Sequence, residues 1–288
     1  MGLFGRVATA MITPFDAKGH IDFPKTTQLI NYLLENGTNS LVVAGTTGES
    51  PTLSKQEKVA LFKHVVDVVE KRVPVIAGTG SYNTYDSIEL TKQAEAAGVD
   101  SVMVVGPYYN KPNQEGIYQH IKAVAENTSL PVMVYNIPGR SVVNIEPETI
   151  IRLANDIDNI VAVKEASGNL TAMTKIIAGT KDNFAVYSGD DSLTLPILSV
   201  GGSGIISVAS HVIGNEMQEM VTSFLEGNVE KAAKIHQQLL PIMSAMFMAP
   251  NPVPVKTALQ IKGLDVGSVR LPLVPLTEEE RTKLISYI

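Results

Sequence analysis

Along the chain, short runs of apolar and β-branched residues alternate with longer segments whose apolar positions recur at helical spacing. The first run covers residues 7–15. In the segment 24–36 that follows, Leu29, Ile30, Leu33 and Leu34 fall on one helical face, and Gly37 offers a C-cap. A second run, 40–47, leads through a glycine turn to Ser54, with Glu57 three residues later as in a capping box and a helix reaching about Lys71. Runs at 74–80, 101–107, 131–138, 160–167, 184–191 and 204–209 continue the series, each followed by a helical pattern. Segments this apolar suit parallel strands buried on both faces.

The runs begin about 20 to 34 residues apart, the length of a strand plus a crossover helix. Eight such units predict an α/β fold, a (β/α)8 TIM barrel, over residues 1–226. After Gly227 the strand pattern stops. Helical segments at 229–246, 255–262 and 277–287, the first two separated by Asn251-Pro-Val-Pro254, predict a C-terminal helical extension over 227–288. It is too short to stand as an independent domain and is expected to dock on the barrel or on a neighbouring subunit. A doubly wound open sheet fits less well, because no Gly-x-Gly-x-x-Gly follows the first run and polar residues recur at several strand ends rather than at one crevice.

Charge and composition narrow the partners. With 23 Lys and Arg against 29 Asp and Glu the net charge is -6, the wrong sign for a general nucleic-acid or anionic-membrane binder, so a small molecule is the natural ligand. The absence of cysteine removes disulfides, thiolate catalysis and cysteine-held metals together. The histidines His20, His64, His120, His211 and His236 have no metal-ligand spacing, and no metal site is expected. Residues 1–6 lack the basic segment and apolar core of a signal peptide, Arg6 stands where a myristoylation motif after Gly2 needs Ser or Thr, and no run is long enough to span a bilayer. A soluble, cytoplasmic protein is expected.

In a barrel the active site lies at the carboxyl ends of the strands, and polar residues collect there. Thr46 and Thr47 end the second run, Tyr108 and Tyr109 follow the fourth, Tyr135 ends the fifth with Arg140 just beyond, and Lys164 closes the apolar stretch Ile160-Val-Ala-Val163 of the sixth. Asp190 and Asp191 end the seventh, and Ile206 lies in the eighth. Desolvation of a lysine at such a place favours the neutral amine, which attacks carbonyl carbons. Hydroxyls beside it can carry protons to and from a carbinolamine, and Arg140 offers a planar fork to a carboxylate. Each residue has a plainer reading. Lys164 could pair with Glu165 or reach solvent, and the tyrosines could be half-buried core residues with wet tips. Gly45-Thr-Thr-Gly-Glu-Ser50 is not a Walker motif. Solvated caps suit Asp190 and Asp191, and a solvated helix face suits Lys256.

Taken together, Gly45-Thr-Thr-Gly-Glu-Ser50, Pro107-Tyr-Tyr-Asn-Lys-Pro112, Tyr135-Asn-Ile-Pro-Gly-Arg140 and Val163-Lys-Glu-Ala-Ser-Gly168 resemble, in the same order, the signatures of the dihydrodipicolinate synthase family of the N-acetylneuraminate lyase superfamily. The resemblance covers essentially the whole chain and implies the same barrel. It implies a lyase of lysine and diaminopimelate biosynthesis that condenses pyruvate with L-aspartate 4-semialdehyde. Lys164 would form the imine with pyruvate and Tyr135, Thr47 and Tyr109 the proton relay, Tyr109 serving an adjacent subunit of a dimer or tetramer. Thr46 would help hold pyruvate, Arg140 would bind the semialdehyde carboxylate, and the Ile206 backbone would lie against the pyruvate-derived moiety. No metal or organic cofactor is implied.

Two other readings fit the same residues: a related pyruvate aldolase such as N-acetylneuraminate lyase or a 2-keto-3-deoxy sugar acid aldolase, and a non-catalytic barrel that binds without turnover. A guanidinium at Arg140 suits a carboxylate better than a sugar chain. The resemblance also bears on inhibition by lysine. Ser50, Asp86 and Tyr108 match the inhibited members, whereas Lys55 and Lys58 stand where histidines are common and Tyr82 where an asparagine is. Added cations and a larger ring oppose an incoming ammonium, and a weak or absent response is expected.

Overall fold

β-Branched and small apolar residues supply eight short strands, β1 (Val7–Ala10), β2 (Ser40–Val43), β3 (Val75–Gly78), β4 (Ser101–Val105), β5 (Val132–Asn136), β6 (Ile160–Glu165), β7 (Ala185–Ser188) and β8 (Gly204–Ser207). The computed structural model describes residues 3–288. Met1 and Gly2, on which the lipidation reading turned, lie outside them. Each strand pairs in parallel with the next, and Val7 opposite Ile205 closes β1 onto β8. The predicted barrel is the observed one.

Period-two alternation divides the apolar residues into two layers. Ala8, Val42, Ile76, Met103, Met133 and Ile206 point inward and fill the barrel. Val7, Leu41, Val43, Val104 and Val163 point outward, into one continuous core with helix residues such as Leu29, Leu33, Leu61, Phe62 and Val65. Truncating an inner residue such as Ile76 to alanine would cost about 2–5 kcal/mol, since close-packed neighbours cannot fill the void. Tyr187 belongs to the inner layer, and its hydroxyl donates to Gly5 O at 3.0 Å.

The helix starts follow the sequence. Ser54 and Glu57 form the capping box before Lys55–Val69, and Gly37 takes φ +87 just after Phe23–Glu35. The strands are shorter than their apolar runs, chiefly at the carboxyl end. The second run reaches residue 47 but the ladder stops at Val43, after which Ala44 turns at φ 52. A Cβ on Gly78 would stand 2.5 Å from Ala44 O, so the glycine is required by that close approach. Apolarity persists beyond the ladder because the loops that close over the barrel mouth are themselves buried.

The extension consists of helices Val229–Ala245, Val253–Ile261 and Glu278–Ile285. It docks on its own barrel: Asn251 Nδ2 donates to Thr47 Oγ1 at 2.9 Å, and Lys256 Nζ meets Glu49 Oε1 at 2.6 Å. Among the described residues no helix is long and apolar enough to cross a membrane.

Candidate active site

Lys164 is the next-to-last residue of β6, and alternation from Ala162 turns it into the barrel while Glu165 turns out. The side chain is only 5% exposed. Room for it comes from Gly189, where a Cβ would lie 2.9 Å from Lys164 Cε and 2.6 Å from Ala166 Cβ. Glu165 is no counter-ion. Its carboxylate accepts from Asn136 Nδ2 at 2.9 Å and from the Ser167 backbone N–H at 2.8 Å, and burial pushes its pKa up. Among the described residues no carboxylate stands within ion-pair distance of Lys164 Nζ, which instead lies 4.4 Å from the centroid of the Tyr135 ring. The ammonium and the ring face attract, a weak interaction that leaves the nitrogen lone pair available once the proton departs.

Tyr135 links the lysine to a cavity of about 240 Å³ at the strand carboxyl ends. Thr46, Ser50, Met103, Tyr108 and Arg140 also line it. Arg140 sits on the short helix Pro138–Ser141 with an exposed side chain and, among the described residues, no carboxylate partner. Thr47 is buried behind Thr46, and the Asn251 amide occupies one acceptor position of its hydroxyl. That leaves the hydroxyl proton free to be given away. Ile206 is fully buried in β8, with its backbone paired to Ala8.

One chain thus places Tyr135, Thr46 and Arg140 on the cavity, sets Lys164 against Tyr135, and buries Thr47 and Ile206 outside the cavity lining. Tyr109 is not with them. It is 89% exposed at φ 69, a left-handed backbone that turns this bulky side chain away from its own barrel. Among the described residues no group of three or more His, Cys, Asp or Glu is placed to hold a metal.

Two plainer readings are corrected. Asp190 does cap the following turn, accepting from Ser192 N at 2.9 Å, but Asp191 is buried rather than solvated. It accepts from Ala209 N at 2.9 Å and Val208 N at 3.2 Å, and desolvation pushes its carboxyl pKa up. Lys256 is not on a solvated face either. It is 2% exposed, and burial pushes its pKa down to about 8 against the opposing pull of Glu49. Asn251, read as part of a helix break, supplies the contact to Thr47; its position in the proline-rich break gave no sign of that. Gly189 was equally silent, since close approach to a lysine leaves no local pattern.

The dihydrodipicolinate synthetase family model matches residues 3–288. Among curated relatives, the 4-hydroxy-tetrahydrodipicolinate synthase of Bacillus subtilis is 69% identical over 285 residues, covering 99% of this chain and 98% of the relative. The solved dihydrodipicolinate synthase of Bacillus anthracis superposes with a TM-score of 0.98 at 65% identity, covering 100% of this chain and 98% of that one. The enzyme of Cyanidioschyzon merolae, solved with lysine bound, gives a TM-score of 0.98 at 46% identity over the same shares.

Proposed function

The chain belongs to the dihydrodipicolinate synthetase family, and from that premise we propose the reaction it performs and the residues that carry it. It is a 4-hydroxy-tetrahydrodipicolinate synthase, a Schiff-base lyase that condenses pyruvate with L-aspartate 4-semialdehyde in lysine and diaminopimelate biosynthesis. The observation that carries the assignment of roles is Lys164, buried at an inner strand end, facing Tyr135 and without a carboxylate partner among the described residues.

The uncharged amine of Lys164 attacks the ketone carbon of pyruvate to give a carbinolamine, which loses water to form an iminium. The positive nitrogen accepts the electron pair left when a methyl C–H bond breaks, so no metal or organic cofactor is called for. The resulting enamine attacks the aldehyde carbon of the semialdehyde. The adduct's own amine then displaces Lys164 as the ring closes. Tyr135 and Thr47 carry protons through these steps, with Tyr109 completing the relay from a second copy of the chain, in keeping with its outward direction. Thr46 and the Ile206 backbone hold the pyruvate part, and Arg140 at the mouth of the cavity takes the semialdehyde carboxylate in its fork.

The catalytic unit is the barrel, residues 1–226, with residues 227–288 as a docked extension. The working form is a cytoplasmic homo-oligomer. Arg140, exposed and unpaired among the described residues, favours this carboxylate-bearing electrophile over the uncharged sugar aldehyde that a sugar-acid aldolase would use. A coupled assay with pyruvate and aspartate semialdehyde tests the reading. Turnover with this pair and none with N-acetylneuraminate is expected; the reverse would refute it.

A further inference from the structure

The chain buries a second lysine that the reaction above does not use. Lys256, on helix Val253–Ile261, is as deeply enclosed as Lys164, and its charge is met by Glu49 at 2.6 Å. Nζ also donates to Ser268 O at 2.8 Å and lies 4.2 Å from the centroid of the Phe15 ring. Glu49 closes the loop that carries Thr46 and Thr47, and it does so at φ 55, a left-handed backbone that a side chain adopts only when its surroundings hold it there.

The same loop is gripped at further points. The Arg270 backbone N–H donates to Glu49 Oε2 at 2.9 Å, Asn251 Nδ2 to Thr47 Oγ1 at 2.9 Å, and Thr13 Oγ1 to Gly48 O at 2.7 Å. Three of these partners, Asn251, Lys256 and Arg270, come from the extension. The charged groups facing Lys256 are Glu49, which favours its ammonium, and Arg270, which opposes it. A buried ion pair contributes little net stability, because desolvating both charges offsets their attraction; what it fixes is geometry.

We propose that the Lys256–Glu49 pair is a positioning latch through which the C-terminal extension holds the Thr47 hydroxyl in the proton relay. The latch rests on the assignment of Thr47 to that relay. Neither Lys256 nor Glu49 touches substrate; both act through the loop.

The test is a set of variants of the full-length enzyme read by steady-state kinetics and thermal unfolding. Thr47→Val is expected to lower kcat at least tenfold. The paired change Glu49→Gln with Lys256→Met removes both charges together, so it leaves no lone buried ion, and it is expected to unfold no earlier than wild type while also lowering kcat about tenfold or more, with KM for pyruvate within about twofold. Adding Thr47→Val to the paired change should lower kcat no further than Thr47→Val alone, because both routes lose the same hydroxyl placement. Lys256→Met alone, which strands Glu49, should be both less stable and less active. If the paired variant keeps wild-type kcat, or if its effect multiplies with that of Thr47→Val, the latch is wrong and the relay stands. If Thr47→Val itself keeps wild-type kcat, the relay assignment has failed and takes the latch with it.

Discussion

Tyr135 and Lys164 are register partners on β5 and β6, and the lysine Nζ lies 4.4 Å from the centroid of the tyrosine ring. The next pair outward, Asn136 and Glu165, is joined by a hydrogen bond of 2.9 Å on the opposite face of the sheet. The strand ends that carry the amine and the phenol are therefore tied from behind, which fixes the direction of both side chains.

Tyr135→Phe keeps the ring and removes the hydroxyl. Loss of a positioned proton carrier typically lowers turnover about 10²–10⁴-fold, and a fall of that order is expected here with an unchanged thermal midpoint. Tyr109→Phe should also be impaired. Co-assembled with inactive Lys164→Ala chains, it should regain activity, because the intact lysine of one copy then meets the intact tyrosine of the other. Mixed assemblies as inactive as their parents would remove Tyr109 from the relay.

Arg140→Ala removes a charge-assisted contact to a carboxylate, typically worth about 1.5–3 kcal/mol. The expected result is roughly a 10- to 150-fold loss in kcat/KM for aspartate semialdehyde, with pyruvate saturation little changed. Normal saturation by the semialdehyde would show that another group binds it.

Acid should weaken the fold before it protonates the paired carboxylates. His211 is fully buried, with Nδ1 donating to Val208 O at 2.8 Å and Nε2 accepting from Ile12 N at 3.2 Å, and burial pushes its pKa down to about 4 from 6.5. The unfolded chain takes up this proton from about pH 6.5 downward and the native protein only near 4, so stability falls across that window by up to about 3 kcal/mol and no further below it. His120, lowered to about 4 by burial, acts in the same direction. Glu57, held down to about 2 chiefly by Arg270, stabilises above 4.5 and loses its contribution only as the pH falls below that. His211→Gln should therefore lose less of its thermal midpoint between pH 7 and pH 5 than the wild type; in both proteins Glu165 and Asp191, their pKa values raised by burial, pull the other way. Equal pH dependence in the two proteins would contradict the assignment.

The barrel was legible because a parallel strand covered on both faces reads as an unbroken apolar run, and eight such runs at crossover spacing leave few other topologies. Lys164 stood out for the same reason, as a cation ending a run that must be buried. What the sequence hid are groups buried by distant partners. Asn251 and Thr47 are 204 residues apart, and Lys256 meets Glu49 over a similar separation, so local periodicity assigns that lysine to water. Asp191 is hidden likewise: the N–H groups that donate to it belong to Val208 and Ala209, beyond the next strand. The strand ends were overrun because hydrophobicity reports burial, whereas the ladder ends where the backbone turns.

L-Lysine should inhibit weakly or not at all. Tyr82 packs edge-on to Tyr108 with centroids 5.3 Å apart, and Lys55 already engages Asp86 at 3.1 Å. Burial first, and then the neighbouring Lys55, push the Lys58 pKa down. Calorimetric titration with L-lysine at neutral pH should give no saturable heat, and millimolar lysine should leave most of the activity. Saturable inhibition in the micromolar range would show that the pocket survives these substitutions.

The most direct test of the mechanism is reductive trapping. Borohydride fixes an imine as a stable secondary amine, so treatment in the presence of pyruvate should inactivate the enzyme and add one reduced pyruvyl group per chain. Peptide mass spectrometry should place that group on Lys164, with Lys256 unmodified and no addition in Lys164→Ala. Label on Lys256 or any other lysine, or an enzyme that turns over yet cannot be trapped, would contradict Schiff-base catalysis at Lys164.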